Sequence, residues 1–260
     1  MTAVRVLLSN DDGVHAAGIR AMADAFEGHE VWVVAPDREQ SASSHAISLH
    51  RPLRMVEVEP RWYAVDGTPT DAVYMGLCLV MRETPPDVVV SGINHGPNLA
   101  NDVHYSGTVA AAIEGALLGV PALAISLAAP PPHDFEPAAR FAAALARRML
   151  GQAQAHGTPV PFLLNVNVPA GPVRSYRFTR LGRRTYGNEV VEKTDPRGRK
   201  YYWIGGEGGA RNDDIPGSDC NAVQEGVAAV TPLQLDPTHD AVLVRLQDVV
   251  VPGYQKDPPP

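Results

Sequence analysis

Near-continuous apolar runs of strand length recur along the first two thirds of the chain: Val4–Leu8, Val31–Ala35, Asp87–Ser91, Ala122–Leu127 and Phe162–Val166. Runs that do not alternate with polar residues suit strands covered on both faces. Patterns of helical period lie between several of them. Gly18–Phe26 carries Ile19, Met22, Ala23 and Phe26, and Asp71–Met81 carries Val73, Leu77, Val80 and Met81. Thr108–Leu118 and Pro137–Leu150 are rich in Ala and Leu. Strands alternating with helices predict an α/β fold, a mostly parallel sheet with helices on both faces.

After Pro169 the texture changes, which divides the chain at 1–169 and 170–260. Arg174–Arg180 and Lys200–Ile204 read as strands, Gly205–Gly209 as a loop, Ala222–Thr231 as another strand, and Asp240–Val250 as strand or helix. This β-rich extension is expected to pack on the first region, and its Pro- and Gly-rich joints would suit an arm reaching to a partner subunit. The tail Pro258–Pro260 is expected to fray. No internal repeat is visible.

Composition narrows the function classes. The 260 residues, 45% hydrophobic and 20% charged, are those of an ordinary globular chain long enough for a sizeable core. A net charge of −7 argues against a broad electrostatic grip on nucleic acid. Cys78 and Cys220 are far apart in unlike contexts, so neither a disulfide framework nor a thiolate metal site is expected. Thr108–Ala129 is nearly all apolar, but Glu114 interrupts it and Gly119-Val120-Pro121 splits it, so helix then strand is expected rather than a membrane span. Without a signal-like amino terminus, the protein is expected to be cytoplasmic.

The candidate chemistry lies in the loops that follow the strands. Asn10-Asp11-Asp12-Gly13 ends the first strand, and two adjacent carboxylates there are costly to desolvate without a cation or strong donors. Alone, the segment would read as a turn. Loops after the second strand (Asp37–His45) and after Asp87–Ser91 (Gly92–Asn98) share its end of the sheet by direction, where ligands of open parallel sheets bind. Carboxylates, amides and hydroxyls without a thiolate or imidazole set select Mg²⁺, Mn²⁺ or Ca²⁺. His15, His45, His95 and His104 fall in these loops and are expected to shape them, with a proton-transfer role open for one. Tyr105-Ser106-Gly107-Thr108 opens a helix, where free amides and the dipole could cradle a phosphate. Gly67-Thr68-Pro69-Thr70-Asp71 reads as a helix start with Thr70 or Asp71 as cap. The GxGxxG, GxxxxGK[ST] and GxSxG patterns are all lacking.

Several segments in order resemble the SurE (stationary-phase survival) nucleotidases. They are Leu7–Gly13, Ala35–Arg38 with Ser41 and His45, Gly67–Asp71, Ser91–Leu99 and Tyr105–Ala112. Weaker matches continue through Asn165–Pro169, Asp195–Gly198, Tyr202-Trp203 and Thr231–Leu233. The resemblance implies a metal-dependent phosphatase acting on nucleoside 5′- and 3′-monophosphates, and in some members on short polyphosphate. It implies a Rossmann-like core and a β-rich carboxyl region that builds homodimers or homotetramers. Residue by residue, it implies Asp11, Asp12, Ser41 and Asn94 as ligands of one divalent ion, Mg²⁺ or Mn²⁺. It places Asn98, Ser106, Gly107 and Thr108 around the phosphate. Asp11 and Asp12 are then the catalytic pair, orienting a metal-activated water. Two departures stand out: Ala17 where Pro is usual, and Ala100 where Gly is usual. One rival makes an Asp the nucleophile of a phosphoenzyme, although such enzymes usually present Asp-x-Asp. The other is a non-catalytic nucleotide- or metal-binding module on the same fold.

Overall fold

The structure, a computed structural model, describes residues 3–156, 162–187, 190–205, 209–247, 249 and 252–253. The chain opens with β1 (Arg5–Ser9), α1 (Ala17–Ala25), β2 (Glu30–Pro36), β3 (Met55–Glu59), β4 (Trp62–Val65) and α2 (Pro69–Met75). It continues through β5 (Val88–His95), α3 (Gly107–Leu117), β6 (Ala122–Ala128), α4 (Glu136–His156) and β7 (Leu163–Pro169). The carboxyl region adds β8 (Tyr176–Phe178), β9 (Arg184–Thr185), β10 (Val190–Thr194), β11 (Lys200–Ile204) and β12 (Arg211–Asn212). It ends in α5 (Asp219–Gln224), β13 (Ala228–Pro232) and α6 (Asp240–Leu246).

One sheet of nine strands organises the molecule, in the order β3-β4-β2-β1-β5-β6-β7-β13-β8. Its centre, β2-β1-β5-β6-β7, is wholly parallel. Successive residues of a strand face opposite sides, and the core divides accordingly. Val6, Leu8, Val33 and Val90 pack with Ile19 and Met22 of α1 and with the alanine face of α4. Leu7, Val34 and Val89 pack with Ala72 and Val73 of α2 and with Val109 and Ala112 of α3. Both faces are therefore covered, and the uninterrupted apolar runs follow from that. The chain leaves β1 toward β2 on one side and returns to β5 on the other. The strand order thus reverses between β1 and β5.

Some boundaries differ from expectation. The helix read over Asp71–Met81 begins at Pro69, because Thr68 is the cap: its hydroxyl accepts from the Asp71 N–H, and the Asp71 carboxylate accepts from the Thr68 N–H. It passes at Gly76–Val80 into a π-helical turn. The strand read over Arg174–Arg180 narrows to Tyr176–Phe178. The segment Ala222–Thr231 is a correction. Ser218 caps α5, Gly226 turns the chain with a φ of +74°, and only Ala228–Pro232 is strand. Asp240–Leu246 is helix, while residues 248 and 250 of that reading lie outside the described residues. So do residues 206–208 of the glycine loop and the terminal prolines. The β3-β4 hairpin, on the sheet edge, was not anticipated; Met55–Glu59 alternates Val with Glu and is largely exposed, unlike the buried runs.

A candidate metal and phosphate site at the switch point of the sheet

Ligands of open parallel sheets bind beyond the carboxyl ends of the strands where the strand order reverses. β1 and β5 meet at that place here, and the loops that follow them carry the expected residues. After β1, Asn10 ties the turn by donating to Gly13 O (2.9 Å) and accepting from the Gly13 N–H (3.1 Å). Gly13 has a φ of +99°, and a Cβ there would come within 3.2 Å of the Arg38 backbone. This tight turn presents Asp11 and Asp12 at the strand end. The Gln40 N–H donates to Asp11 O (2.8 Å) and brings in the loop after β2.

Asp11 is buried, and its carboxylate accepts the Thr108 hydroxyl at the start of α3. Gly107 lets that helix approach: a Cβ on it would sit 2.8 Å from Asp11 Cβ and from Ser43 Oγ. Burial pushes the Asp11 carboxyl above its ordinary value, and the bond from Thr108 offsets part of that rise. Asp12 is pushed up to about 7, first by burial and then by the charge of Asp11, while the His95 N–H opposes the shift. His95 Nδ1 lies 3.4 Å from Asp12 Oδ1, and its ring stacks on His133 (centroids 5.3 Å). The second oxygen, Asp12 Oδ2, is buried without a hydrogen-bond partner.

These carboxylates open on a cleft of about 900 Å³, also lined by Ser41, Asn94, Asn98 and Ser106. Six of the eight expected site residues therefore share one cavity. Gly107 and Thr108 do not line it; Thr108 is fully buried behind Asp11. Ser41 donates to Glu39 Oε1 (2.7 Å), which leaves its oxygen lone pairs free, and Asn94 Nδ2 donates to Gly96 O (2.9 Å), which leaves its carbonyl oxygen free of that bond. Ser106 caps α3 by accepting from the Val109 N–H (3.1 Å).

A second set of groups, whose Asn165 and Asn167 belong to a segment matched only weakly in the sequence with no role attached, clamps Asn98. Its N–H donates to Asn167 Oδ1 (2.8 Å), its O accepts from Asn165 Nδ2 (2.8 Å) and Asn167 Nδ2 (3.0 Å), and its Nδ2 donates to Ser126 Oγ (2.8 Å). The available signal was two asparagines, two residues apart, on one face of an otherwise apolar strand. Glu39 and Tyr105, which lie in the candidate loops, also line the cleft, and so do Asp102 and Tyr186, for which no role was expected. His45, expected to shape its loop, pairs with the buried Glu114 of α3 (2.9 Å).

Among the described residues, no cluster of three or more His, Cys, Asp or Glu side chains could hold a metal ion. A cation here would rest on two carboxylates completed by neutral oxygens. That donor set fits a hard divalent ion, and the orphaned Asp12 Oδ2 is an oxygen in need of such a partner.

Fold and site together define an α/β protein with a cleft lined by carboxylate, amide and hydroxyl groups at the switch point of its sheet. The family model described as Survival protein SurE matches residues 6–188, and this chain belongs to that family. It is 77% identical over 258 residues to 5′-nucleotidase SurE of Anaeromyxobacter dehalogenans (strain 2CP-C), covering 99% of this chain and 100% of that one. It is 54% identical over 258 residues to 5′-nucleotidase SurE of Myxococcus xanthus (strain DK1622), covering 98% and 97%. The crystal structure of a SurE protein from Aquifex aeolicus superposes with a TM-score of 0.81 at 37% identity, covering 94% of this chain and 98% of that one.

Proposed function

We propose that this protein is a phosphatase that hydrolyses nucleoside 5′- and 3′-monophosphates with one divalent ion per subunit, Mg²⁺ or Mn²⁺. Short polyphosphate falls within the same chemistry, and the cytoplasm is the proposed compartment. The observation that carries the reading is the pair of neighbouring carboxylates, Asp11 buried and Asp12 half-buried with one buried oxygen left unpartnered, beside amides and hydroxyls suited to a phosphoryl group. The relatives named 5′-nucleotidase supply the substrate class.

In this reading Asp11, Asp12, Ser41 and Asn94, which all line the cleft, would hold the ion. When bound, such an ion supplies Lewis acidity and lowers the pKa of water. Asp11 or Asp12 orients the attacking water, and Thr108 fixes the carboxylate of Asp11. Asn98, held by its four hydrogen bonds, and Ser106 with the start of α3 at Gly107 take the phosphoryl oxygens as charge spreads over them. The water oxygen bonds to phosphorus, the bond from phosphorus to the ribose oxygen breaks, and the products are inorganic phosphate and a nucleoside hydroxyl.

Chelator-stripped protein should release phosphate from AMP only when Mg²⁺ or Mn²⁺ is restored. Asp11→Asn and Asp12→Asn should abolish turnover and keep the fold, because ligand charge is lost while shape is kept. Wild-type rates from either variant in metal-buffered assays would refute this mechanism. Nucleotide binding without phosphate release would instead mark a binding module. We also propose a homodimer or homotetramer built through the carboxyl region, where Tyr202, Trp203 and Ile204 of β11 stand exposed. A monomer in sedimentation at micromolar concentration would contradict it.

A further inference from the structure

The cleft is lined by two chemistries. One is the set of carboxylates, amides and hydroxyls already described. The other is aromatic and apolar: Tyr105, Tyr186, Val190 and Ile204. A phosphate and a cation have no use for the second set, whereas a mononucleotide carries a flat π-face beside its phosphate.

We propose that the exposed rings of Tyr105 and Tyr186 form a stacking wall for the nucleobase, which holds any base by its face and reads none by its edge. This rests on the phosphatase reading and extends it to the part of the substrate that does not react. Tyr105 is 67% and Tyr186 54% exposed, so both rings have area to offer a ligand. Tyr186 is braced: its hydroxyl donates to Asp102 Oδ1 (2.6 Å), and the Arg184 guanidinium lies 5.8 Å from its ring centroid. A ring held before the ligand arrives loses little freedom on binding. Asp102 lies on the turn between Asn98 and Ser106, so the brace ties the wall to the loop proposed for the phosphate. Tyr105 is joined directly to Ser106, which fixes the spacing between base and phosphoryl group.

Among the described residues, the polar groups beside the Tyr186 ring are already engaged with one another. Asp102 spends one oxygen on Tyr186 and the other on Arg184, and the Tyr186 hydroxyl is spent on Asp102. Edge reading needs free donors and acceptors in fixed positions, whereas stacking accepts every base because every base has a π-face.

The test compares kcat/KM for AMP, CMP and ribose 5-phosphate, which lacks a base, in wild type, Tyr105→Leu, Tyr186→Leu and Tyr186→Phe. Wild type should favour both nucleotides over ribose 5-phosphate. Tyr186→Leu should lower the AMP to ribose 5-phosphate ratio about tenfold, mainly through KM, as loss of one stacking partner does. Tyr105→Leu should lower it in the same direction, and Tyr186→Phe, which keeps the ring, should lower it less. An unchanged ratio in both Leu variants overturns the wall, as does a Phe variant that falls as far as Leu. Wild-type turnover of ribose 5-phosphate equal to that of AMP overturns the wall and leaves the phosphatase reading standing. No phosphate from any of the three substrates overturns both.

Discussion

Burial and the charge of Asp11 push the Asp12 carboxyl up to about 7, far above its ordinary 3.8, so at neutral pH the metal-free fold holds a charge it disfavours. Between those two values the folded chain binds more protons than the unfolded one, and stability must fall as pH rises. The contribution is fully present below about 4 and is lost as pH passes through about 7. In chelator, wild-type Tm should therefore drop relative to Asp12→Asn as pH is raised from 5 to 8. Mn²⁺ should restore the wild type and not the variant, since anything that binds only the folded state stabilises it. Parallel melting curves for the two proteins across that range would show that Asp12 is not the strained group. The adjacent carboxylates were legible in the sequence because two neighbouring charges after an apolar run violate the pattern around them. The clamp on Asn98 was not, since it forms only when β6, β7 and the loop after β5 meet.

At the scale of elements, two alanines stand where the family resemblance implies other residues, and the backbone gives a reason for each. Ala17 is the first residue of α1, whose cap Ala16 makes no side-chain hydrogen bond and has extended φ and ψ of −65° and 145°. Proline is favoured at that first position, and the residue before it already has the conformation proline demands. Ala17→Pro should stabilise by about 0.5 kcal/mol through the unfolded chain. Ala100 has a φ of +51°, in the left-handed region that costs a side chain about 1–2 kcal/mol. Ala100→Gly removes that strain against about 0.4–1 kcal/mol of added unfolded-state entropy, for a smaller net gain. Each change should raise Tm by about 1–3 °C in calorimetry, and a drop in either would refute the conformational account. The central strands could be read from the sequence because burial on both faces leaves one signature, an unbroken apolar run. The hairpin β3-β4 and the helix α5 could not: β3 is an exposed edge strand alternating Val with Glu, β4 is only four residues long, and α5 is six residues long, defined by the Ser218 cap.

For the whole molecule, the central sheet and the carboxyl region are joined in one structure. β13 pairs antiparallel with β7 and places β8 beyond it, so the sheet crosses the boundary read at residue 169. A second junction is buried. Asp219, with no exposed surface, accepts the Ala100 N–H on one oxygen (2.9 Å). Its other oxygen accepts the Gly182 N–H (2.7 Å) and the Cys220 N–H (2.8 Å). One carboxylate thus secures the strained residue of the loop after β5, the segment leading to Arg184 and Tyr186, and the start of α5. Removing it leaves three backbone donors without their acceptor, and each buried orphan costs about 1–3 kcal/mol. The buried Ala100 and Cys220 donors alone set the scale, so Asp219→Ala should destabilise by at least about 2 kcal/mol in denaturant unfolding. Asp219→Asn keeps acceptors for only part of the set, because its amide nitrogen must face a donor on one side, and should fall between the two. Activity should drop further than stability predicts, because the loop carrying Asn98 and Ser106 loses an anchor. An Asp219→Ala protein with wild-type stability and turnover would mean that the two regions fold and act independently.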